Sequence, residues 1–179
     1  MIYLKIKIKK PKQSISYIVT SLRLVILPFL IYAFFHDLKI IVYFLFIFSI
    51  GTDLVDGFVA RKLGVSSERG AFFDAIVDFL FIFVMFAAFM VKGFYPTWIL
   101  FLLIFVFVLF MLTNLYSKRT LYDPIGKYLG SLLFGGIGLT LLFSVQLVYD
   151  IVTIGIVVST AVSILSRLVY FLLKDPEQR

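Results

Sequence analysis

Four aspartates lie within 26 residues of a chain that is otherwise mostly apolar: Asp53, Asp56, Asp74 and Asp78, in the stretch GTDLVDGFVARKLGVSSERGAFFDAIVDF that starts at Gly51. Asp53, Asp56 and Ala60 are spaced i, i+3, i+7 and share one helical face, with Gly57 beside them. Gly70, Asp74 and Asp78 are spaced i, i+4, i+8 and share another. A short connection between the two predicts antiparallel helices that bring both acidic faces together. Four carboxylates facing one another repel, and even one Asp at the centre of a membrane helix costs about 2.5–3.5 kcal/mol. Bound cations would hold such a cluster together. An oxygen-only donor set, without His or Cys, suits hard ions such as Mg²⁺, Mn²⁺ or Ca²⁺. One ion would satisfy three carboxylates, whereas a pair sharing bridging carboxylates would serve phosphate chemistry. Arg61, at the end of the first acidic helix, is placed to grip a phosphate oxygen. Gly57 and Gly70 remove side-chain bulk beside the acids, so that a ligand can approach the backbone. The competing reading is structural: an ion-paired packing site in which Arg61, Lys62 or Arg69 neutralises the aspartates. That reading accounts for any single Asp better than for all four at these spacings.

The elements that must position these residues are membrane spans. The 179-residue chain is 62% hydrophobic and 15% charged, where a soluble domain is nearer half apolar and a quarter charged. The composition excludes a soluble or disordered chain and predicts an all-α integral membrane protein. With no cysteine, a disulfide framework, a thiolate nucleophile and a cysteine-ligated metal are all excluded. Windows of membrane-spanning length predict six transmembrane helices near 17–35, 38–60, 71–91, 96–117, 127–148 and 151–173. The breaks fall at short polar stretches, the last of them at Tyr149-Asp150. Residues 1–16 form a basic N-terminal arm, 17–173 a single membrane catalytic domain and 174–179 a short tail. No cleavable targeting peptide is evident.

The net charge of +7 falls mostly beside the apolar spans, which points to membrane orientation and anionic lipid rather than to nucleic acid. Of the seventeen Lys and Arg, fourteen flank one side of the predicted spans, against Lys39 and Lys92 on the other. This bias predicts cytoplasmic termini and puts the acidic stretch at the cytoplasmic end of the bundle. The arm MIYLKIKIKKPK reads equally as an interfacial anchor or as a charge tag that fixes topology.

The run Asp53-x2-Asp56-Gly57-x2-Ala60-Arg61-x8-Gly70-x3-Asp74-x3-Asp78 resembles, without substitution or gap, the signature of the CDP-alcohol phosphotransferase family. Eight fixed positions make the match specific, and the six-span layout is also similar. The resemblance implies a membrane enzyme of phospholipid synthesis in which an alcohol attacks the β-phosphorus of a CDP-linked lipid and CMP leaves. It further implies a multi-pass protein of the cell membrane that works as a homodimer. By the same resemblance, Asp53, Asp56, Asp74 and Asp78 contribute to a site for two Mg²⁺ or Mn²⁺ ions, and Asp78 doubles as the base for the acceptor hydroxyl. Gly57, Ala60, Arg61 and Gly70 would hold the CDP-lipid, with Ser67 and Thr20 adding polar contacts. Such chemistry consists mainly of charge neutralisation and alignment.

Further positions refine the expectation. Thr20-x2-Arg23-x4-Pro28 resembles the family's N-terminal element, except that Tyr17 stands where Asn is usual. Arg23 sits inside an apolar helix and needs an aspartate or phosphate partner, or else snorkels toward the cytoplasmic headgroups. Lys118, Arg119, Lys127 and Arg167 make a candidate cationic pocket for a phosphorylated acceptor such as glycerol phosphate or inositol phosphate, although cytoplasmic loops are basic in any case. Gly126-Lys127 resembles a feature of the phosphatidylglycerophosphate synthase branch. The donor would be CDP-diacylglycerol or its isoprenoid equivalent CDP-archaeol. Serine is the main alternative acceptor. The glycines of the fifth span predict close helix packing, and Tyr95 and Trp98 suit an interfacial aromatic belt. Outside this class, a divalent-cation transporter would place its acids near the bilayer midplane and gives no role to Gly57, Arg61 or Gly70.

Overall fold

The computed structural model describes the backbone of residues 11–63, 68–116 and 124–173, and side chains within 21–52, 70, 72–112 and 128–166. The described residues form six α-helices: α1 Pro11–Phe35, α2 Lys39–Leu63, α3 Glu68–Val91, α4 Trp98–Tyr116, α5 Pro124–Leu142 and α6 Gln146–Leu173. Two stretches among them, Phe72–Val91 and Gln146–Ser166, are long and apolar enough to cross a membrane. Four shorter apolar helical stretches accompany them: Ser21–Phe35, Lys39–Thr52, Trp98–Leu112 and Tyr128–Leu142.

Helix ends depart from the hydropathy windows where polar residues continue a helix. α1 begins at Pro11 rather than near residue 17, because proline suits a first helical turn whose N–H has no partner anyway. α2 runs on through Arg61 to Leu63 and α3 starts at Glu68, which makes Gly57, Ala60, Arg61 and Gly70 helical. The expected break at Tyr149-Asp150 is displaced to residues 143–145. Both residues instead lie in α6, where Gln146 Nε2 donates to Asp150 Oδ1 at 3.0 Å one turn on. This polar i, i+4 pair stabilises a helix start.

The chain packs as two units, Met1–Phe81 and Ile82–Arg179. In the first, α1 and α2 pack on each other. Their buried faces are Arg23, Ile26, Leu27, Leu30, Ala33 and Phe34 on α1, and Val42, Phe46 and Ser49 on α2. Phe29, Tyr32, Ile40, Phe44 and Ile47 point outward, an apolar exterior that suits lipid rather than water. The α1–α2 connection turns through Asp37 at φ 57. The amide of Asp37 donates to the Phe34 carbonyl and that of Leu38 to the Ala33 carbonyl, a Schellman close in which Asp occupies the left-handed position usually taken by Gly.

In the second unit, α6 packs on α5 and α4. The same Schellman close ends α3, here with Gly93 at φ 79. The Gly93 amide donates to Met90 and the Phe94 amide to Phe89, and the Phe89 and Phe94 rings supply the accompanying apolar contact. Of the α5 glycines, Gly136 meets α6 closely: a Cβ there would stand 3.0 Å from Val152 Cγ1. Gly130 and Gly135 face open space, so close packing belongs to Gly136 and does not extend to these two.

Tyr95 is a further correction. Trp98 is half exposed, as an interfacial residue would be, but Tyr95 is only 4% exposed. Its hydroxyl hydrogen-bonds Thr140 Oγ1 at 2.5 Å, and Thr140 donates in turn to the Gly136 carbonyl at 2.7 Å. Burial pushes the Tyr95 phenol up to about 12, against the Thr140 hydrogen bond, which lowers it; Tyr149 adds a smaller upward push.

Candidate active site

The sequence places the acids in register with the buried positions of their helices. On α2 the buried positions Val42, Phe46 and Ser49 step by four and three residues. The same steps continue through 53, 56 and 60, as a packed helical stripe does. The α3 stripe of Phe81, Met85 and Ala88 runs back in the same way through 78 and 74. Asp53 lies ten residues before the end of α2 and Asp78 ten residues after the start of α3. At 1.5 Å per residue each is about 15 Å along its helix from the connection.

Asp74 and Asp78 are half-buried. Asp53, Asp56, Gly57, Ala60 and Arg61 are helical positions of α2 whose side chains lie outside the described residues. Thr20 lies one turn before Arg23 on α1, again with its side chain outside the described residues, as do those of Lys127 on α5 and Arg167 on α6. Position 167 continues the spacing of the buried Ile156, Thr160 and Ser163. Ser67, Lys118 and Arg119 fall outside the described residues altogether.

The decisive contact is made by Arg23. Its side chain is 1% exposed, and its Nη1 donates to Asp78 Oδ1 as an ion pair that ties α1 to α3. Of the two roles open to an arginine at this depth, headgroup snorkelling is overturned: the guanidinium points inward to one of the four aspartates. An arginine taken wholly from water must be paired, and Asp78, itself 31% exposed, supplies the charge with one oxygen.

Ser49 is a residue that the sequence pattern could have revealed and did not. It is fully buried, and its Oγ has no hydrogen-bond partner among the described residues. Its carbonyl accepts from Thr52 Oγ1 at 2.8 Å. It stands one turn before Asp53 on the same face, so the spacing 49, 53, 56, 60 was the available signal. The polar face of α2 thus starts a turn deeper than its first acid.

These residues fit a hard divalent ion by donor chemistry. The ionisable groups on the two acidic faces are carboxylates, and the described one nearest a cation, Asp78, is already charge-balanced by Arg23. Among the described residues no group of three or more His, Cys, Asp or Glu gathers as a metal site; two of the four acids have side chains outside that set. The family model of CDP-alcohol phosphatidyltransferases matches residues 13–170. No curated protein and no solved structure matches the chain.

Proposed function

The chain belongs to the CDP-alcohol phosphatidyltransferase family, and from that premise we propose that it transfers a phosphatidyl-type group from a CDP-linked lipid to a small polyol phosphate. The observation that carries this reading is the unbroken signature at positions 53–78, lying inside a family match that spans most of the chain. The donor is CDP-diacylglycerol or CDP-archaeol, and the acceptor is glycerol phosphate or inositol phosphate. The reading includes six transmembrane helices, cytoplasmic termini, a catalytic domain over 17–173 and a homodimer. The active site opens at the cytoplasmic end of the bundle.

Asp53, Asp56, Asp74 and Asp78 would hold two Mg²⁺ or Mn²⁺ ions, which when bound neutralise the diphosphate and polarise its phosphorus. Gly57, Ala60 and Gly70 leave room for the CDP moiety, which Arg61, Ser67 and Thr20 hold by polar contacts. Lys118, Arg119, Lys127 and Arg167 receive the phosphate of the acceptor. Asp78 takes the acceptor's hydroxyl proton as the new O–P bond forms at the β-phosphorus. The bond from that phosphorus to the CMP oxygen breaks, and CMP carries away the electron pair. Arg23 occupies Oδ1 of Asp78, which leaves Oδ2 for the proton or an ion.

The test is nucleotide release by purified protein given a CDP-lipid, Mg²⁺ or Mn²⁺, and a panel of glycerol phosphate, inositol phosphate and serine. CMP should appear only with metal and acceptor together, and fastest with a phosphorylated acceptor. Release with serine alone would move the acceptor assignment. No release with any acceptor would overturn the transferase reading, as a cation transporter or an inactive scaffold requires.

A further inference from the structure

We propose that Arg23 is a fixed counter-ion that keeps the divalent-metal site weak until a diphosphate arrives, so that cation and CDP-linked substrate load together. The inference rests on the metal-dependent transfer read above and adds the order in which its components assemble. Arg23 is 1% exposed and bonded to Asp78 Oδ1. Arginine is a permanent cation in proteins, so the charge at this position is not discharged. Nor does Arg23 have solvent to withdraw into, because it belongs to the same packed face of α1 as Ile26, Leu27 and Leu30.

A divalent ion reaching Asp78 therefore meets a like charge across a carboxylate that Arg23 already engages. Repulsion at that range is strong where water is scarce. The diphosphate of a CDP-lipid brings two further negative charges and offsets it. By linkage, whatever factor the diphosphate adds to metal affinity, metal adds to diphosphate affinity. Removing the guanidinium should strengthen metal binding in the empty site and shrink that mutual gain.

The experiment measures Mn²⁺ affinity of the full-length protein in micelles by electron paramagnetic resonance, with and without CDP. Arg23→Gln, which keeps a hydrogen-bond donor but not the charge, should bind Mn²⁺ at least tenfold tighter than wild type without CDP. CDP should tighten Mn²⁺ correspondingly less in this variant. Arg23→Lys, which keeps the charge, should stay within threefold of wild type in both conditions. An unchanged or weaker affinity in Arg23→Gln overturns the proposal. So does a tenfold change in Arg23→Lys, which decides the matter if Arg23→Gln does not fold. Wild-type protein that binds no Mn²⁺ even with CDP would remove the metal-dependent transfer reading and this inference with it. Normal metal-dependent CMP release with an unaltered Arg23→Gln affinity would sink the counter-ion role alone.

Discussion

Asp78→Asn should damage the fold as well as the chemistry, and the structure gives the size of the effect. The substitution removes the negative charge opposite Arg23, whose side chain is 1% exposed. Breaking a buried ion pair by removing one partner costs about 3–5 kcal/mol. The reverse change is milder, because Asp78 keeps 31% of its side-chain surface open and can take up water when Arg23 is lost. Arg23→Met should therefore cost about 1.5–3 kcal/mol, the range for a hydrogen bond to a charged group. The double variant Arg23→Met/Asp78→Asn removes both members of the pair and should be more stable than Asp78→Asn alone. The resulting coupling energy should be up to about 3 kcal/mol. Reversible unfolding of all four proteins in mixed detergent micelles with a chelator present measures each term. Equal single-variant costs that add to within about 0.5 kcal/mol would refute the buried-pair argument. The double variant also supplies a folded protein without the Asp78 carboxylate, in which lost turnover reports chemistry rather than misfolding.

Gly136→Ala should destabilise by about 1–3 kcal/mol as overpacking does, because its Cβ meets the stiff Val152 at 3.0 Å. Gly135→Ala, with nothing within 4 Å, should instead gain about 0.5–1 kcal/mol of helix propensity; thermal unfolding of the two variants compares them. Asp37→Gly should raise the melting temperature, since Asp holds a φ of 57 that glycine adopts without Cβ strain; an unchanged or lower value would contradict the Schellman assignment. Tyr95 makes stability depend on pH at the alkaline end. The folded protein keeps the phenol proton to about 12, while the unfolded chain gives it up near 10.0. Stability should therefore be unaffected by this group below pH 10 and fall as pH rises toward 12. Phenolate absorbance against pH, with Tyr95→Phe as control, measures it, and a Tyr95 titration near 10 would contradict the burial argument.

The number and approximate centres of the helices were legible because apolar runs of this length have few other outcomes. Their ends were not, since Pro11-Lys12-Gln13 and Ala60-Arg61-Lys62 are helical through local geometry that a hydropathy window ignores. The α5–α6 break was hidden because Phe143 and Val145 make the turn itself apolar. Within the site, the spacing of the aspartates and glycines carried the reading. The partner of Arg23 could not be read, because it lies 55 residues away on another helix. Tyr95 misled for a related reason: an aromatic at a helix end has the same local sequence whether it faces headgroups or a buried threonine. Only the tertiary position of Thr140 decides.

The buried stripe of α3 has a bearing on what could pass along that helix. Beyond Asp78 the helix continues with Phe81, Ile82, Met85, Phe86 and Phe89, all nearly or wholly sealed from solvent. From Asp78 to Phe89 is about 16 Å at helical rise, and none of these five apolar side chains can hand on a proton. A proton released at Asp78 under the proposed chemistry would therefore meet no relay group among these five side chains. A polar substitution such as Met85→Asp would breach this insulation, and leak current would register it even if catalysis survived.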